Sequence, residues 1–286
     1  MAPGAAAIAV VFLGLSGLRA DTLAYVRASS QYQRDKALEG FHPLNLLDDD
    51  PDTIWCEGAE GTGEGEEIRF YFKSPQKIDR IVITPTPLSG RRVSMVRVSD
   101  GTNNATVELG DSVAEQPLKK PMEGTTYVVT ITQMAEPLTT SKLPNNVACL
   151  ADVLFYYKNK LFGGKLTADK FKFDAQRDKI LGRWQGEPLG APERFITFAL
   201  DGTWEWSFVP MLGGKSEKVT GEYRFRGDRL LMRRGETGRW ADVNYKYKRV
   251  TADLNDIGAP LGDYDTIRIN EVLGEKFAAE YNNAEF

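Results

Sequence analysis

The sequence of 286 residues is 42% hydrophobic and 27% charged, the composition of an ordinary globular protein with one or two domains. Its formal net charge of -4 argues against a nucleic-acid-binding protein, because such proteins normally present a basic surface. Fourteen Phe, eleven Tyr and five Trp stand in short β-branched runs between turn residues, which favours strands over helices. We therefore expect an all-β protein.

Residues 1–20 have the features of a cleaved secretory signal peptide. An apolar run from Ala5 to Leu18 is followed by Ala20, a small residue at the expected cleavage point. The run is shorter than the ~20 residues that a membrane-spanning helix needs, so cleavage is favoured over a membrane anchor. The sequence thus predicts a secreted or periplasmic protein with no membrane span after cleavage.

An acidic turn follows the first polar segment of the chain. Asp48, Asp50 and Thr53 are spaced so that their oxygens can face one hard cation, and calcium binds six to eight oxygens. The spacing differs from that of an EF-hand, which needs a longer loop. The alternative is an Asp-Pro turn in which the aspartates only hydrogen-bond their own backbone.

The chain has two cysteines, Cys56 and Cys149. In an oxidising compartment a single pair most simply forms one disulfide. Two buried free thiols are the alternative.

Short strands separated by turns are expected from residue 68 to residue 157. Residues 68–72 alternate between apolar and polar side chains, as a half-buried strand does. Further strands are expected at 78–84, 93–99, 105–109, 127–132 and 147–157. Such regular spacing favours an antiparallel β-sandwich.

Four segments of this region resemble one family. Asn45–Asp48, Thr53–Trp55, Glu66–Ile68 and Cys149–Val153 are similar to the corresponding motifs of discoidin or coagulation-factor C-type domains. That family has the galactose-binding-like jelly-roll sandwich found in many carbohydrate-binding modules. The resemblance implies the same fold and a glycan or cell-surface ligand for this chain.

The continuation Trp55–Gly58 resembles in particular the branch described as NADase-type glycan-binding domains. The resemblance covers residues 22–158. It implies a structural calcium site whose ligands, matched position by position, would be the side chain of Asp48, the carbonyls of Asn45, Asp50 and Ala151, the hydroxyl and carbonyl of Thr53, and the carboxylate of Asp152. The family has glycine where this chain has Asp49, and usually glutamate where it has Asp152.

The resemblance also places the ligand at loops clustered at one end of the sandwich. There the chain offers Arg91 and Arg92, with Glu57 and Glu60 in the glycine-rich segment. Arginine has a planar fork that suits vicinal hydroxyls, carboxylates or phosphates. The alternative is that both arginines lie in a solvated turn. The family pattern puts Trp55, the obvious aromatic residue nearby, in the core.

Beyond residue 158 the composition changes. Residues 159–180 are predicted to be a linker with a short helix near 174–181, and residues 181–286 to be a small antiparallel barrel that resembles lipocalin-like proteins. Asp201-Gly202 between alternating strands is a strong hairpin signal. Trp204 and Trp206 on the following strand belong either to the core or to an exposed platform for sugar stacking.

His42 is the one histidine of the chain and is expected at the surface. A single histidine excludes a histidine-clustered zinc site, and no other feature favours a nucleophilic triad built on it. The sequence therefore predicts an extracytoplasmic, non-catalytic binding protein that recognises a glycan or cell-surface ligand through the sandwich. The alternatives are a secreted hydrolase with an acidic pair, acting on a glycan or NAD-type substrate, and a purely structural envelope protein.

Overall fold

A computed structural model describes residues 23–33, 40–48, 50–139, 141–162, 174–186, 193–210, 214–250, 264–269 and 279–283. The predicted signal peptide lies outside these residues, as does much of the predicted linker. The described chain is built almost entirely of strands, so the all-β prediction is confirmed. No helix within these ranges has the length and apolar character that crossing a bilayer requires.

The first sheet contains eight strands. They are β1 (Leu23–Ala28), β2 (Trp55–Cys56), β3 (Glu67–Pro85), β4 (Arg91–Ser99), β5 (Asn104–Glu108), β6 (Ala114–Pro137), β7 (Cys149–Tyr157) and β8 (Lys160–Phe162). The order is β2-β7-β3-β6-β4-β5, with β1 beside β3 and β8 beside β7. All of these pairings are antiparallel.

The sheet folds over on itself through its two longest strands. β3 pairs with β6 along most of its length, but the register shifts between Tyr71 and Gln76, where the strand bends. Before the bend β3 pairs with β1, and after it with β7, so one continuous sheet supplies both layers of the sandwich. The core between the layers includes Trp55, Phe70, Ile81, Tyr127 and Phe155, each at most 1% exposed.

The second sheet contains nine strands. They are β9 (Gly182–Gly186), β10 (Glu193–Phe198), β11 (Thr203–Val209), β12 (Glu217–Arg226), β13 (Arg229–Arg234), β14 (Ala241–Val243), β15 (Tyr245–Val250), β16 (Tyr264–Ile269) and β17 (Ala279–Asn283). The order is β14-β13-β12-β11-β10-β9-β17-β16-β15. β14 and β15 are therefore at opposite edges, yet only Asn244 separates them in the chain. Because two Cα steps span at most about 7 Å, the edges meet and the sheet is a nearly closed barrel.

Large aromatic side chains fill the barrel. Trp184, Trp204, Trp206, Tyr223 and Tyr281 are each at most 5% exposed and belong to one hydrophobic cluster. Trp204 and Trp206 are thus core residues and not an exposed platform. The predicted hairpin before them is confirmed, since Gly202 connects β10 to β11 with a φ of 81°, a conformation that favours glycine.

A short α-helix of six residues precedes the barrel. It spans Ala175–Ile180, and the Asp174 side chain caps its N-terminus by accepting hydrogen bonds from the backbone of Gln176 and Arg177. This helix confirms the short helix predicted near residues 174–181. An aspartate just before a helical segment is a common N-cap, so Asp174 indicates the start of this helix in the sequence itself.

The two sheets pack against each other along a contact that we call the seam, formed by β1, the start of β9 and the β10–β11 turn. Leu181 and Ala199 extend from the barrel side into the hydrophobic cluster of the sandwich. The Leu200 backbone N–H donates to the Ala24 carbonyl at 2.7 Å. The Arg27 guanidinium donates to the Leu181 carbonyl at 2.6 Å. The domain boundaries inferred from the sequence stay a prediction, but the two sheets share part of one core.

Candidate functional site

The loops at one end of the sandwich meet around a disulfide. We call this region the loop end and define it as residues 29–33, 41–66, 86–92 and 141–149. Cys56 and Cys149 are directly opposite each other in the β2–β7 pair, with their Cα atoms 4.1 Å apart, and they form a disulfide. The predicted disulfide is confirmed. It links the first and the last segments of the sandwich at the place where the loops converge.

Glu57 lies inside the loop end. Its side chain is fully buried, with Oε1 accepting from the Ala148 N–H at 3.1 Å and Oε2 accepting from the Ala59 N–H at 2.9 Å. Its own N–H donates to the Ala148 carbonyl at 3.0 Å. Burial raises the pKa of the Glu57 carboxyl, and the two backbone hydrogen bonds only partly oppose this. The buried carboxylate thus connects two loops through hydrogen bonds, whereas the sequence analysis predicted that Glu57 contacts the ligand. Glu60, the other predicted acid, is exposed.

Arg91 begins β4 beside the disulfide. Its N–H donates to the Val147 carbonyl at 3.0 Å, and its carbonyl accepts from the Ser89 hydroxyl. Ser89 Oγ also accepts from the Cys149 N–H at 2.9 Å, which ties this turn to the disulfide. The Arg91 Nε is buried, and among the described residues no acceptor reaches it.

Arg92 lies next to it and has a partner at the surface. Its Nη1 donates to Asp111 Oδ1 at 2.5 Å, and the Asp111 side chain is 84% exposed. The Arg92 Nε is also buried without an acceptor within the described ranges. The structure thus brings both predicted arginines to the loop end, each with an Nε–H that is not used by the described fold.

An aromatic pair completes the loop end. The rings of Tyr32 and Phe41 meet edge to face with centroids 5.3 Å apart, and both side chains are half-buried. They pack on a small cluster that includes the two cysteines, Ile54, Val147 and Ala151. Sequence reasoning missed this pair because both residues stand in a polar segment without periodicity. Trp55 is fully buried, as the family pattern implies.

The acidic turn brings three of the predicted calcium ligands together. The Thr53 hydroxyl lies 2.7 Å from Asp48 Oδ2 and 3.0 Å from the Asp50 carbonyl oxygen. Asp48 Oδ1 accepts from the Asp50 N–H at 3.1 Å, so the backbone hydrogen bonds of an Asp turn are present as well. Burial raises the pKa of Asp48, and the bond from Thr53 opposes this.

β7 brings the remaining ligand positions to the same turn. The β2–β7 register pairs Trp55 with Leu150, and Ala151 and Asp152 are the next two residues of β7. Asp152 and Ala151 are buried, and the Asn45 side chain donates to the Ile54 carbonyl at 2.8 Å. The atoms that meet in the turn, from Asp48, Asp50 and Thr53, are oxygens, which fits a hard cation.

Side chains alone could not hold a calcium ion at the acidic turn. Across the described ranges, no three or more His, Cys, Asp or Glu residues are grouped so that they could hold a metal. A calcium ion here would therefore depend on backbone carbonyls and the Thr53 hydroxyl as well as on Asp48 and Asp152. Calcium binding stays a prediction.

His42 is not at the surface, so that prediction is wrong. The side chain is 9% exposed, and its Nδ1 accepts from the Leu44 N–H at 3.2 Å. It caps the short 3-10 helix Pro43–Leu47, which leads into the acidic turn. An imidazole nitrogen can satisfy an otherwise unpaired backbone donor at a helix start, which explains a buried histidine without any catalytic role.

Comparison with known families identifies the N-terminal part of the chain. Residues 18–134, somewhat less than half of the sequence, match the family described as NAD glycohydrolase translocation F5/8 type C domain. The resemblance to coagulation-factor C-type domains is confirmed for this region. No curated protein matches the sequence.

Solved structures similar to this chain include carbohydrate-binding modules. A family 32 module from Clostridium perfringens NanJ in complex with galactose is 15% identical, with a TM-score of 0.35 over 48% of this chain and 98% of that chain. Chitosan-binding module 2 from Paenibacillus sp. IK-5 in complex with chitotriose is also 15% identical, with a TM-score of 0.35 over 48% and 99%. The mycobacterial arabinofuranosyltransferase AftD is 20% identical, with a TM-score of 0.37, but the match covers 47% of this chain and only 11% of that one.

Proposed function

From the F5/8 type C match over residues 18–134, we propose that the protein acts outside the cytoplasm and binds a glycan through the loop end of its sandwich. The observation that carries the proposal is the half-buried Tyr32–Phe41 pair, which packs against the cluster around the disulfide at the same end of the sandwich as Arg91. The rings and the arginine lie in the same region, because the rings pack on the cluster that includes Val147 and the Arg91 N–H donates to the Val147 carbonyl.

The chemistry of this patch suits a saccharide. A sugar ring has a face of C–H groups that can lie on an aromatic ring, and an edge of hydroxyls that can accept from a planar guanidinium. Exposed Glu60 can accept hydrogen bonds from further hydroxyls. Arg91 and Arg92 are thus ligand contacts in this proposal, and Glu57 holds the loops in place.

The loops of the patch are also cross-linked by the fold itself. The disulfide and the buried Glu57 connect the loop that follows β2 to the segment before β7. A preformed site loses less conformational entropy on binding, which favours affinity for a small ligand. The galactose and chitotriose named above belong to the neighbouring structures, and the sugar for this chain is left to experiment.

The location rests on two features. The chain begins with a segment predicted to be a signal peptide, and its one cysteine pair is oxidised. Disulfides persist in oxidising compartments and are rare in the cytosol, so a secreted or periplasmic location is consistent with both.

We also propose a structural calcium ion at the acidic turn. Asp48, Asp50, Thr53, Asn45, Ala151 and Asp152 would hold it, with Thr53 and the carbonyls supplying the neutral oxygens. Its role would be to connect the turn to β7 and thereby fix the loops next to the ligand patch. This role involves no reaction.

A glycan array probed with residues 21–286 tests the binding proposal. We expect a positive signal for the wild type, loss of that signal in the double variant Arg91→Ala with Arg92→Ala, and loss in Tyr32→Ala. Arg97→Ala is the matched control, because Arg97 is an exposed arginine farther along the same strand, β4. The melting temperature should not change in the double variant or in the control.

If both loop-end variants retain the signal, the glycan does not bind at the loop end. A wild type that binds no array glycan would overturn the proposal. Turnover of NAD or of the array glycans by the wild type would instead favour the alternative of a secreted hydrolase.

A further inference from the structure

A cleft of about 550 Å³ lies between the sandwich and the barrel. Its sandwich wall comes from β1 and from the bends of β3 and β6. Its barrel wall comes from β10, β11 and β12, with the segment after β13. The volume falls within the roughly 300 to 1,000 Å³ of small-molecule sites, and such sites occur preferentially where two domains meet.

The cleft is far from Arg91, the ligand contact proposed at the loop end. Along the β4–β6 pair, Arg91 is opposite Pro137 at the loop end, and Ser99 is opposite Val128 at the other end. Eight residues of strand separate these two pairs, which corresponds to about 27 Å. Thr125 and Thr126, which line the cleft, lie just beyond Val128. A ligand in the cleft would therefore occupy a second site.

Two stacked tyrosines form the aromatic part of the cleft. The rings of Tyr25 on β1 and Tyr71 on β3 lie 4.5 Å apart with 26° between their planes. Tyr25 is 4% exposed and is held by the sheet, whereas Tyr71 is half-buried and lines the open space. Stacking on a buried ring limits the movement of Tyr71, so its surface is a preformed platform.

Hydroxyl groups and carboxylates lie across from the tyrosines. Thr197, Thr203 and Thr220 line the barrel wall together with Glu205 and Glu222. Threonine hydroxyls both donate and accept hydrogen bonds, and carboxylates accept them, which matches the hydroxyls of a sugar. The barrel wall therefore offers both hydrogen-bond donors and hydrogen-bond acceptors.

The charges in the cleft are balanced by ion pairs within the protein. Lys218 is 2.6 Å from Glu205, and Lys73 pairs with Asp201 on the barrel side. Both lysines that line the cleft thus have a carboxylate partner, and Glu236 adds a further negative charge. Glu222 is likewise paired, with Arg233 at 2.6 Å, so an anionic ligand would find no uncompensated cation among these residues and would meet the negative charge of Glu236.

We propose that this cleft binds a neutral mono- or disaccharide, with its C–H face on Tyr71 and its hydroxyls toward Thr220, Glu205 and Glu222. The site is built by the association of the two sheets. Lys73 closes it from the sandwich side by bonding Asp201 and also the Thr203 hydroxyl at 2.8 Å. The proposal does not depend on the loop-end site.

The experiment uses residues 21–286 in the Arg91→Ala, Arg92→Ala background, so that loop-end binding does not contribute. Saturation-transfer NMR and isothermal titration are carried out with galactose, N-acetylglucosamine, lactose and cellobiose, and with N-acetylneuraminic acid as the anionic probe. At least one neutral sugar should bind, and the anionic sugar should not.

Two variants then locate the site. Thr220→Trp adds a large ring to an exposed residue of the cleft wall, and Tyr71→Ala removes the platform. Each should weaken binding more than tenfold. Thr106→Trp is the matched control on an exposed position of β5 and should bind as the background does.

Thr220→Trp keeps the test decisive if Tyr71→Ala fails to fold. Absence of binding by every neutral sugar would overturn the proposal, and so would unchanged affinity in Thr220→Trp. Binding of N-acetylneuraminic acid at equal affinity would overturn the assignment to neutral sugars. Because the background lacks the loop-end arginines, failure here leaves the loop-end proposal untouched.

Discussion

The loop end and the seam are secured by different means. At the loop end, one disulfide and one fully buried carboxylate, Glu57, connect segments of a single sheet. At the seam, the hydrophobic side chain of Leu181, the hydrogen bond of Leu200 to Ala24, and the Lys73–Asp201 pair connect two sheets. The loop end is thus a property of the sandwich alone, whereas the cleft exists only while the two sheets remain together.

The comparison predicts that the two proposed sites differ in how they depend on the rest of the fold. A site braced within one sheet should tolerate loosening of the neighbouring domain. A site formed between sheets should be lost at the first such loosening, since interfaces within a chain resemble transient protein interfaces. The following changes test this difference, beginning with the largest expected effect.

Removal of the disulfide should have the largest effect. Cys56→Ser with Cys149→Ser frees a loop closed over a separation of 93 residues. On the chain-entropy model this lowers the free energy of unfolding by about 4 to 5 kcal/mol. Urea unfolding of the sandwich, followed by fluorescence, measures the loss. Wild type with reductant serves as the comparison, and an unchanged midpoint in both would contradict the prediction.

Leu181→Ala tests the seam. Leu181 is 6% exposed and belongs to the cluster of the sandwich although it starts the barrel segment. Truncation of a buried leucine costs about 2 to 5 kcal/mol, and here the loss should weaken saccharide binding in the cleft more than binding at the loop end. The matched control is Leu88→Ala, since Leu88 is 49% exposed and its change should cost no more than about 0.5 kcal/mol. Equal stability of the two variants would show that the seam does not depend on this contact.

Calcium should stabilise the loop end by a smaller amount. A ligand that binds only the folded state adds about 2.7 kcal/mol at a hundredfold excess over its Kd, so calcium should raise the melting temperature of metal-free protein. Asp48→Asn should abolish the rise, and Asp52→Asn, an exposed neighbour outside the ligand set, should keep it. A metal-free preparation whose melting curve is the same with calcium and with chelator would rule the site out.

The two regions should also respond to pH in opposite directions. Burial raises the pKa of Glu57, so the folded state holds that proton more tightly and stability falls as pH rises above the ordinary value of 4.5. At the seam, burial alone would raise the pKa of Asp201, but hydrogen bonds from Lys73 and Thr203 outweigh it and lower the pKa. The contribution of Asp201 is therefore present above the ordinary value of 3.8 and is lost as pH falls below it.

Two amide variants separate these contributions. Glu57→Gln should flatten the decline of unfolding free energy above pH 4.5, although it lowers stability overall because an amide nitrogen cannot accept from a backbone N–H. Asp201→Asn should flatten the slope at acid pH only. Chemical denaturation across the pH range measures both slopes, and identical profiles in the two variants would contradict the assignment.

Much of the fold could be predicted because its signals are local. The alternation of residues 68–72, the Asp201-Gly202 hairpin and the helix cap at Asp174 each depend on a few neighbouring residues. The disulfide could be predicted because a single pair of cysteines leaves only one partner for each. Strands 68–72 and 78–84 were expected as two, but they form one strand because the pairing with β6 resumes after the bend.

The remaining features depend on contacts between distant segments. β1 could not be predicted, because its strand conformation depends on pairing with β3 and on the barrel turn that contacts Ala24. Glu57 has the sequence features of a surface acid, yet its buried carboxylate accepts one of its two hydrogen bonds from Ala148, ninety-one residues away. Tyr32 and Phe41 lack any periodic pattern, and only the folded cluster around Cys56 brings them together.

The order of strands in the barrel also determines when the barrel can form. β9, its first strand, pairs with β17, the last strand that the structure describes, through partners such as Gly186 and Tyr281. During synthesis from the N-terminus, β9 therefore has an unpaired edge until residues 279–283 have emerged. Pairing of such distant segments is slow, and an open edge attracts other chains during that time. The barrel should consequently be the late and aggregation-prone step of folding, whereas the strands of the sandwich are all present by residue 162 and can pair first.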